Sequence, residues 1–179
     1  MSQNVGIDSN TLTLLIEAVD PSYDPCADSV QLAEEKKAIL RIFLYKGIAY
    51  YVGPTVETEY RKIKVNEKYQ AHVSFCNNLL LDGPWQLNSY SLSKRAQTFR
   101  GYHSGQKDCD ILAEAEEMRL DVLLTNDNDF LKHLGCVSKS ITIVRPSQFW
   151  VSLGVHKGTA PVWGPSNSNP LLQKTWWHW

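Results

Sequence analysis

Asp8, Glu59, Asp108 and Asp127 are the residues of this chain whose types and settings suit shared chemistry. Carboxylates gathered in one pocket repel, so protons or cations must neutralise them. Hard divalent cations prefer such oxygen ligands, and Mg²⁺ typically keeps several waters and leaves room for phosphate oxygens. One or two such ions activate water and stabilise the leaving oxygen of an in-line phosphodiester attack. Each acid also has an ordinary use. An Asp at a helix start caps the helix or meets its dipole, and an Asp in a turn serves the turn. The elements around the acids decide whether they meet.

Asp108 and Asp127 bracket the stretch DCDILAEAEEMRLDVLLTNDNDF. Ile111, Leu112, Ala115 and Met118 recur at helical spacing and predict a core-facing stripe, with Glu114, Glu116 and Glu117 facing out. At about 100° per residue, Asp108 falls on the inner side and Asp110 points away. Val122, Leu123 and Leu124 form an apolar run suited to a strand covered on both faces. Thr125 ends that strand and Asp127 follows. In open α/β sheets ligands bind beyond the carboxyl ends of the strands, which is where an inward Asp108 and a post-strand Asp127 would meet.

The rest of the chain supplies matching elements. NVGI predicts a strand over 4–8 ending at Asp8, and SNTLTLLIEAV a helix capped by Ser9 or Asn10. Residues 30–46 form a second helix with Leu32, Ile39 and Phe43 inward and Glu34, Glu35 and Lys37 in solvent. IAYYV predicts a strand over 48–52, stopped by Gly53-Pro54. In the helix TVETEYRKIK, Glu59 falls inside the stripe of Val56, Tyr60 and Ile63, while Glu57 falls outside it. A charge on a core-facing stripe is costly unless paired or metal-bound; pairing at the rim is the bland alternative. Further helices are expected over 66–81, 91–102, 130–134 and 146–150, a strand over 141–144, and an edge strand near 85–90. The alternation predicts an α/β fold with a mainly parallel sheet and helices on both faces. Residues 1–150 form that domain. From Val151 the composition turns to Gly, Pro, Ser, Asn and Trp, so 151–179 reads as a Trp-rich extension.

Composition narrows the chemistry. The net charge of −1 gives no global basic field, so nucleic-acid binding must rest on local patches. Cys26, Cys76, Cys109 and Cys136 are scattered without a CxxC pair, which suits reduced thiols in the cytoplasm rather than zinc. The polar N-terminus leads straight into a strand, and no apolar run approaches membrane-spanning length. The dispersed glycines make no phosphate loop. The five histidines sit in unrelated contexts, most of them as ordinary surface residues. DND at 127–129 lacks the glycine and terminal Glu of a calcium loop.

On these residues the chain resembles the PIN-domain nucleases. The likeness runs from NVGIDSNTL through PTVETEY to KDCDILAEAEEMRLDVLLTNDNDF and ITIVRPSQF, covering about residues 4–150. The resemblance implies a three-layer α/β/α fold with three or four acids that bind Mg²⁺ or Mn²⁺ and cleave phosphodiesters, most often in RNA. It places the first Asp on Asp8 with its Asn on Asn10, and the helix Glu on Glu59. The third acid falls on Asp108 and the T-N-D motif on Thr125 and Asp127. Small stand-alone relatives are often toxins, which implies an antitoxin partner. The loop at 19–29 and the tail depart from the family core.

Arg61, Lys62 and Lys64 follow Glu59, and Lys94, Arg95, Arg100 and Lys107 precede Asp108, so sequence places cations on both sides of the acids for RNA phosphates. Tyr102 and His103 are candidates for stacking on a base. Trp163, Trp176, Trp177 and Trp179 require burial, first against this domain, otherwise against a second copy or a protein partner. A non-catalytic PIN-like scaffold that binds RNA or protein is the alternative to a metal-dependent endoribonuclease. A receiver-like phosphoacceptor is disfavoured, because no Lys stands at the needed strand end and Glu59 would be unexplained.

Overall fold

The computed structural model describes residues 3–48, 50–80 and 87–179. Its sheet consists of β1 (Val5–Ile7), β2 (Tyr50–Tyr51), β3 (Val122–Leu124) and β4 (Thr142–Val144), in the order β2-β1-β3-β4. Every neighbouring pair is parallel, with Val5 opposite Tyr50 and Val122, and Gly6 opposite Tyr51 and Leu123. β1 and β3 are apolar and buried throughout, the signature of strands covered on both faces.

The helices are α1 (Ser9–Val19), α2 (Val30–Lys46), α3 (Pro54–Tyr60), α4 (Asn66–Leu79), α5 (Ser89–Phe99), α6 (Gln106–Glu117), α7 (Asn128–Leu134) and α8 (Pro146–Ser152). They lie on both faces of the sheet, and the strand alternation shows how. On one face Tyr50 stacks on Phe43 of α2, with rings 6.2 Å apart, and donates its hydroxyl to the Ile39 carbonyl at 2.9 Å. On the other, Gly6, Tyr51 and Leu123 meet Ile111 and Ala115 of α6 and Met118 at its C-terminal end around a small void. A Cβ on Gly6 would come within 2.5 Å of Leu120 Cδ1, so the bare backbone makes room for that leucine. α1 and α8 flank α2, while α3 and α5 pack on α6. The protein is thus a parallel α/β domain, as its sequence pattern requires.

Three expectations change. The edge strand near 85–90 lies partly outside the described residues, and Ser89 and Tyr90 begin α5 instead. Glu35, expected in solvent, is 3% exposed and accepts from the backbone and hydroxyl of Ser147 at 2.9 and 2.7 Å. α2 is covered by the sheet, α1 and α8 together, so its polar stripe is not a free face. Glu114, expected outward, is 7% exposed for the same reason, because α6 lies under α3 as well as on the sheet.

The Trp-rich tail folds back onto α2. Leu171 and Trp177 join the core, Trp176 meets Tyr23 edge-on at 5.1 Å, and Trp163 meets Phe43 at 5.2 Å. All four cysteines are free. Among the described residues no helix is long and apolar enough to cross a membrane.

Candidate functional site

The chain enters the sheet at β1, adds β2 on one side, and returns through β3 on the other. The point where strand order reverses, between β1 and β3, opens a crevice at the carboxyl edge. Asp8 follows β1 there, and Thr125 to Asp127 follow β3. Both carboxylates cap helices: Asp8 accepts from Thr11 N at 2.7 Å, and Asp127 from the backbone of Asp129 and Phe130 at 2.7 and 3.0 Å. Capping does not account for the rest of their contacts. Thr125, fully buried, donates its hydroxyl to Asp8 Oδ2 at 2.5 Å and accepts from Asp127 N at 3.0 Å. One hydroxyl therefore ties the two strand ends together. Asp8 is 4% exposed, and burial pushes its carboxyl above the ordinary range, against the Thr125 and Thr11 hydrogen bonds and with Asp127 adding repulsion.

Asp8 lines a cavity of about 250 Å³ together with Asn10, Glu59 and Asp108. Glu59 arrives from the last turn of α3 and Asp108 from the first turn of α6. Their other contacts come from the chain itself. Ser9 donates to Glu59, Lys107 closes an ion pair with it, and His103 Nε2 lies 2.7 Å from Asp108 Oδ2. Asp127 is absent from the described lining and reaches the cavity only through Thr125 and Asp8. Among the described residues no three His, Cys, Asp or Glu side chains are already gathered to hold a metal ion. The donors available to one are carboxylate oxygens, one of them deeply buried, with room beside them: a set that fits a hard divalent cation rather than zinc.

The acids set aside by sequence lie elsewhere. Asp110 faces Arg100 at 3.4 Å, Glu57 pairs with Arg61, Glu34 pairs with Lys37, and Asp129 begins α7. Several proposed substrate cations are occupied or displaced. Arg95 grips Glu116 with two nitrogens, eight residues and so about 12 Å along α6 from Asp108. Arg61 and Arg100 are engaged as above, and Lys107 holds Glu59. Lys62, Lys64 and Lys94 are exposed.

Sequence reasoning missed the histidines. His103, expected to meet a base, is bonded to Asp108 and stacked on His133 at 5.5 Å. His72 is 1% exposed and lines the cavity. The glycine three residues after Gly101-Tyr102 was the available signal: a Cβ on Gly105 would sit 2.3 Å from His103 Nε2 and 2.7 Å from Asp108 Oδ2. Since Gly105 has φ −68°, only this close approach demands glycine. Gly105→Ala is expected to separate His103 from Asp108 without unfolding α6. The check is the His103 ring resonance, which should then lose its dependence on an Asp108→Asn change.

Glu114 was missed too. Its carboxylate accepts from Thr55 N at 3.0 Å and from the Thr55 hydroxyl at 2.6 Å, tying α6, which carries Asp108, to the start of α3, which carries Glu59. Burial raises the Glu114 carboxyl above 4.5, opposed by the Thr55 hydrogen bonds. A raised carboxyl stabilises the fold fully below its unfolded value and loses that contribution as pH rises through the folded one. The melting temperature of Glu114→Gln relative to wild type should therefore climb as pH rises above the ordinary value of 4.5. A gap that stays flat or falls would contradict it.

Fold and site together define a parallel α/β domain with an acidic cavity at its topological switch point. No family model and no curated protein matches the chain. Its structure is similar to the crystal structure of FitAcB from Neisseria gonorrhoeae, at 13% identity and a TM-score of 0.48, over 79% of this chain and 97% of that one.

Proposed function

We propose that this chain is a metal-dependent endoribonuclease, working in the cytoplasm, that hydrolyses phosphodiester bonds at Asp8, Glu59, Asp108 and Asp127. The observation that carries the reading is the Asp8–Thr125–Asp127 bridge across the β1/β3 switch point, beside a cavity that also holds Glu59 and Asp108. A carboxylate as buried as Asp8, with no cationic partner among the described residues, is one that a divalent ion would neutralise. Bound there, Mg²⁺ or Mn²⁺ would supply an activated water and neutralise charge on the phosphate. The chain's own part is to hold the acids. Thr125 fixes Asp8 against the Asp127 loop, Glu114 joins the helices of Glu59 and Asp108, and Asn10 stands at the rim. Of the cations that the sequence places beside the acids, exposed Lys62, Lys64 and Lys94 are left for RNA phosphates. The sequence resemblance extends the proposal to a toxin with an antitoxin as protein partner; a homodimer is the alternative that the Trp-rich tail raises.

A non-catalytic scaffold of the same fold draws on one specific observation. Lys107 and His103 already hold Glu59 and Asp108, as though the site were closed by its own side chains. One experiment separates the readings: assorted RNAs and DNAs incubated with the protein in Mg²⁺, Mn²⁺ or EDTA, beside Asp127→Asn. Cleavage that needs the metal and fails in the variant supports the nuclease. Undiminished cleavage by Asp127→Asn, freed of contaminants, sinks it, and binding without cleavage leaves the scaffold.

A further inference from the structure

Ile7, Leu124 and Val144 lie in register across β1, β3 and β4, so the residues that leave those strands, Asp8, Thr125 and Arg145, stand abreast at the carboxyl edge. The hydroxyl bridge accounts for the first two. Arg145 is the third, and its backbone is fixed before its side chain begins. Its N–H donates to the Gln148 side chain at 3.3 Å, and its carbonyl accepts from Phe149 N at 3.0 Å, at the start of α8. From there the side chain crosses to the loop after β3. Nη1 donates to the Asn126 carbonyl at 3.3 Å and to the Asn126 side-chain oxygen at 2.5 Å, while Nη2 donates to the Asn128 side-chain oxygen. Asn126 and Asn128 are the two neighbours of Asp127. Each of these acceptors is a neutral oxygen, so Arg145 straddles Asp127 and forms no ion pair among the described residues.

Asn in a turn ordinarily bonds its own backbone. Here two of them give their oxygens to one guanidinium instead, and what lies between them is a carboxylate with one oxygen to spare. Asp127 Oδ1 is spent on the Asp129 and Phe130 amides, and Oδ2 has no hydrogen bond among the described residues. The loop backbone must therefore set where that free oxygen stands. Thr125 pins the loop on the β1 side, through Asp8, and Arg145 pins it on the β4 side. A guanidinium suits this task, because its planar fork holds several oxygens in fixed directions, whereas an ammonium is a mobile point charge. The structure assigns Arg145 the part of a positioning residue: it splints the 126–128 turn and so fixes the free Asp127 oxygen at the rim of the crevice, where a divalent ion would take it. This rests on the nuclease reading and extends its site to β4, a strand that supplies none of the acids.

Arg145→Lys keeps the charge and loses the fork, and two readouts on it need no RNA. In EDTA the Asp129 and Phe130 amides should exchange hydrogen at least about tenfold faster than in wild type. The Asp8 amide, held by the Leu124 carbonyl at 3.2 Å, should exchange at the wild-type rate. Mn²⁺ titrated into the RNA-free protein should bind about tenfold more weakly, the scale of losing an outer partner of a metal ligand. In cleavage at saturating Mn²⁺, kcat should fall while KM for RNA holds, because Arg145 does not touch the substrate. If Arg145→Lys fails to melt cooperatively, Asn128→Ala takes its place: Asn128 is exposed, and removing its oxygen empties one arm of the fork. Wild-type exchange or wild-type Mn²⁺ affinity in the variant would overturn the assignment. So would a raised KM at unchanged Mn²⁺ affinity, which would make Arg145 a phosphate contact. Each of those results leaves the wild-type nuclease standing. A wild type that neither binds Mn²⁺ nor cuts loses the nuclease reading, and the exchange rates still decide whether Arg145 holds the turn.

Discussion

Trp177→Ala should lower the melting temperature on the order of 10 °C, the largest loss expected from any single change in the tail. Trp177 is 2% exposed, donates its indole nitrogen to the Leu171 carbonyl at 3.0 Å, and meets Tyr45 edge-on at 6.2 Å. Truncating a buried Trp costs about 3–5 kcal/mol through lost transfer energy and the cavity left behind. A second loss follows from the backbone. Arg41 of α2 donates Nε to the Trp177 carbonyl at 2.9 Å and another nitrogen to the His178 carbonyl, with its guanidinium 4.8 Å from the Trp179 ring. Once the tail loosens, that buried guanidinium loses its acceptors, and an unsatisfied buried charge is expensive. Trp163, 43% exposed over Phe43, is the internal control, and Trp163→Ala should cost far less. Scanning calorimetry on both variants decides it. Equal, small shifts would mean that the tail is only loosely laid on α2.

The sequence was most legible where one physical rule decided the outcome. Short apolar runs located the strands and period-3.6 patterning the helices, and helical phase alone set Asp108 on the cavity side and Asp110 against Arg100. It failed where two faces of one helix are covered. Glu35 and Glu114 look like solvent residues because each is polar in an amphipathic stripe. Their partners, Ser147 and Thr55, stand 112 and 59 residues away, beyond the reach of any local pattern. The same blindness applies to charge pairing. Lys107 sits next to Asp108 in sequence, yet its ammonium goes to Glu59, 48 residues distant. Arg95 reads as a site cation by position, but α5 runs along α6 and delivers it to Glu116 at the far end. The convergence of Asp8 with Thr125 needed both the strand order and the register, neither of which is written in local composition.

Asp8→Asn should abolish cleavage, by at least about a thousandfold, while leaving the fold intact. The two halves of that result have separate causes. Asn keeps the shape of Asp and can still accept from Thr11 N, while its amide can donate to the Thr125 hydroxyl, reversing that bond. The cap and the bridge between the strand ends are therefore preserved. What disappears is a buried carboxyl that can ionise to meet a cation in the crevice. Burial holds the Asp8 carboxyl above its ordinary value of 3.8. Its stabilising contribution is complete below that value and is lost as pH rises through the folded one. As pH rises above the ordinary carboxyl range, the buried side chain thus costs the fold free energy in EDTA, and Asp8→Asn should melt no lower than wild type. Adding Mg²⁺ or Mn²⁺ should then raise the melting temperature of wild type more than that of the variant, by binding linkage. Nuclease rate and metal-dependent melting, measured on both proteins, test the two halves independently. Cleavage surviving in Asp8→Asn would remove Asp8 from the chemistry. Equal metal-induced shifts would place the ions outside the crevice.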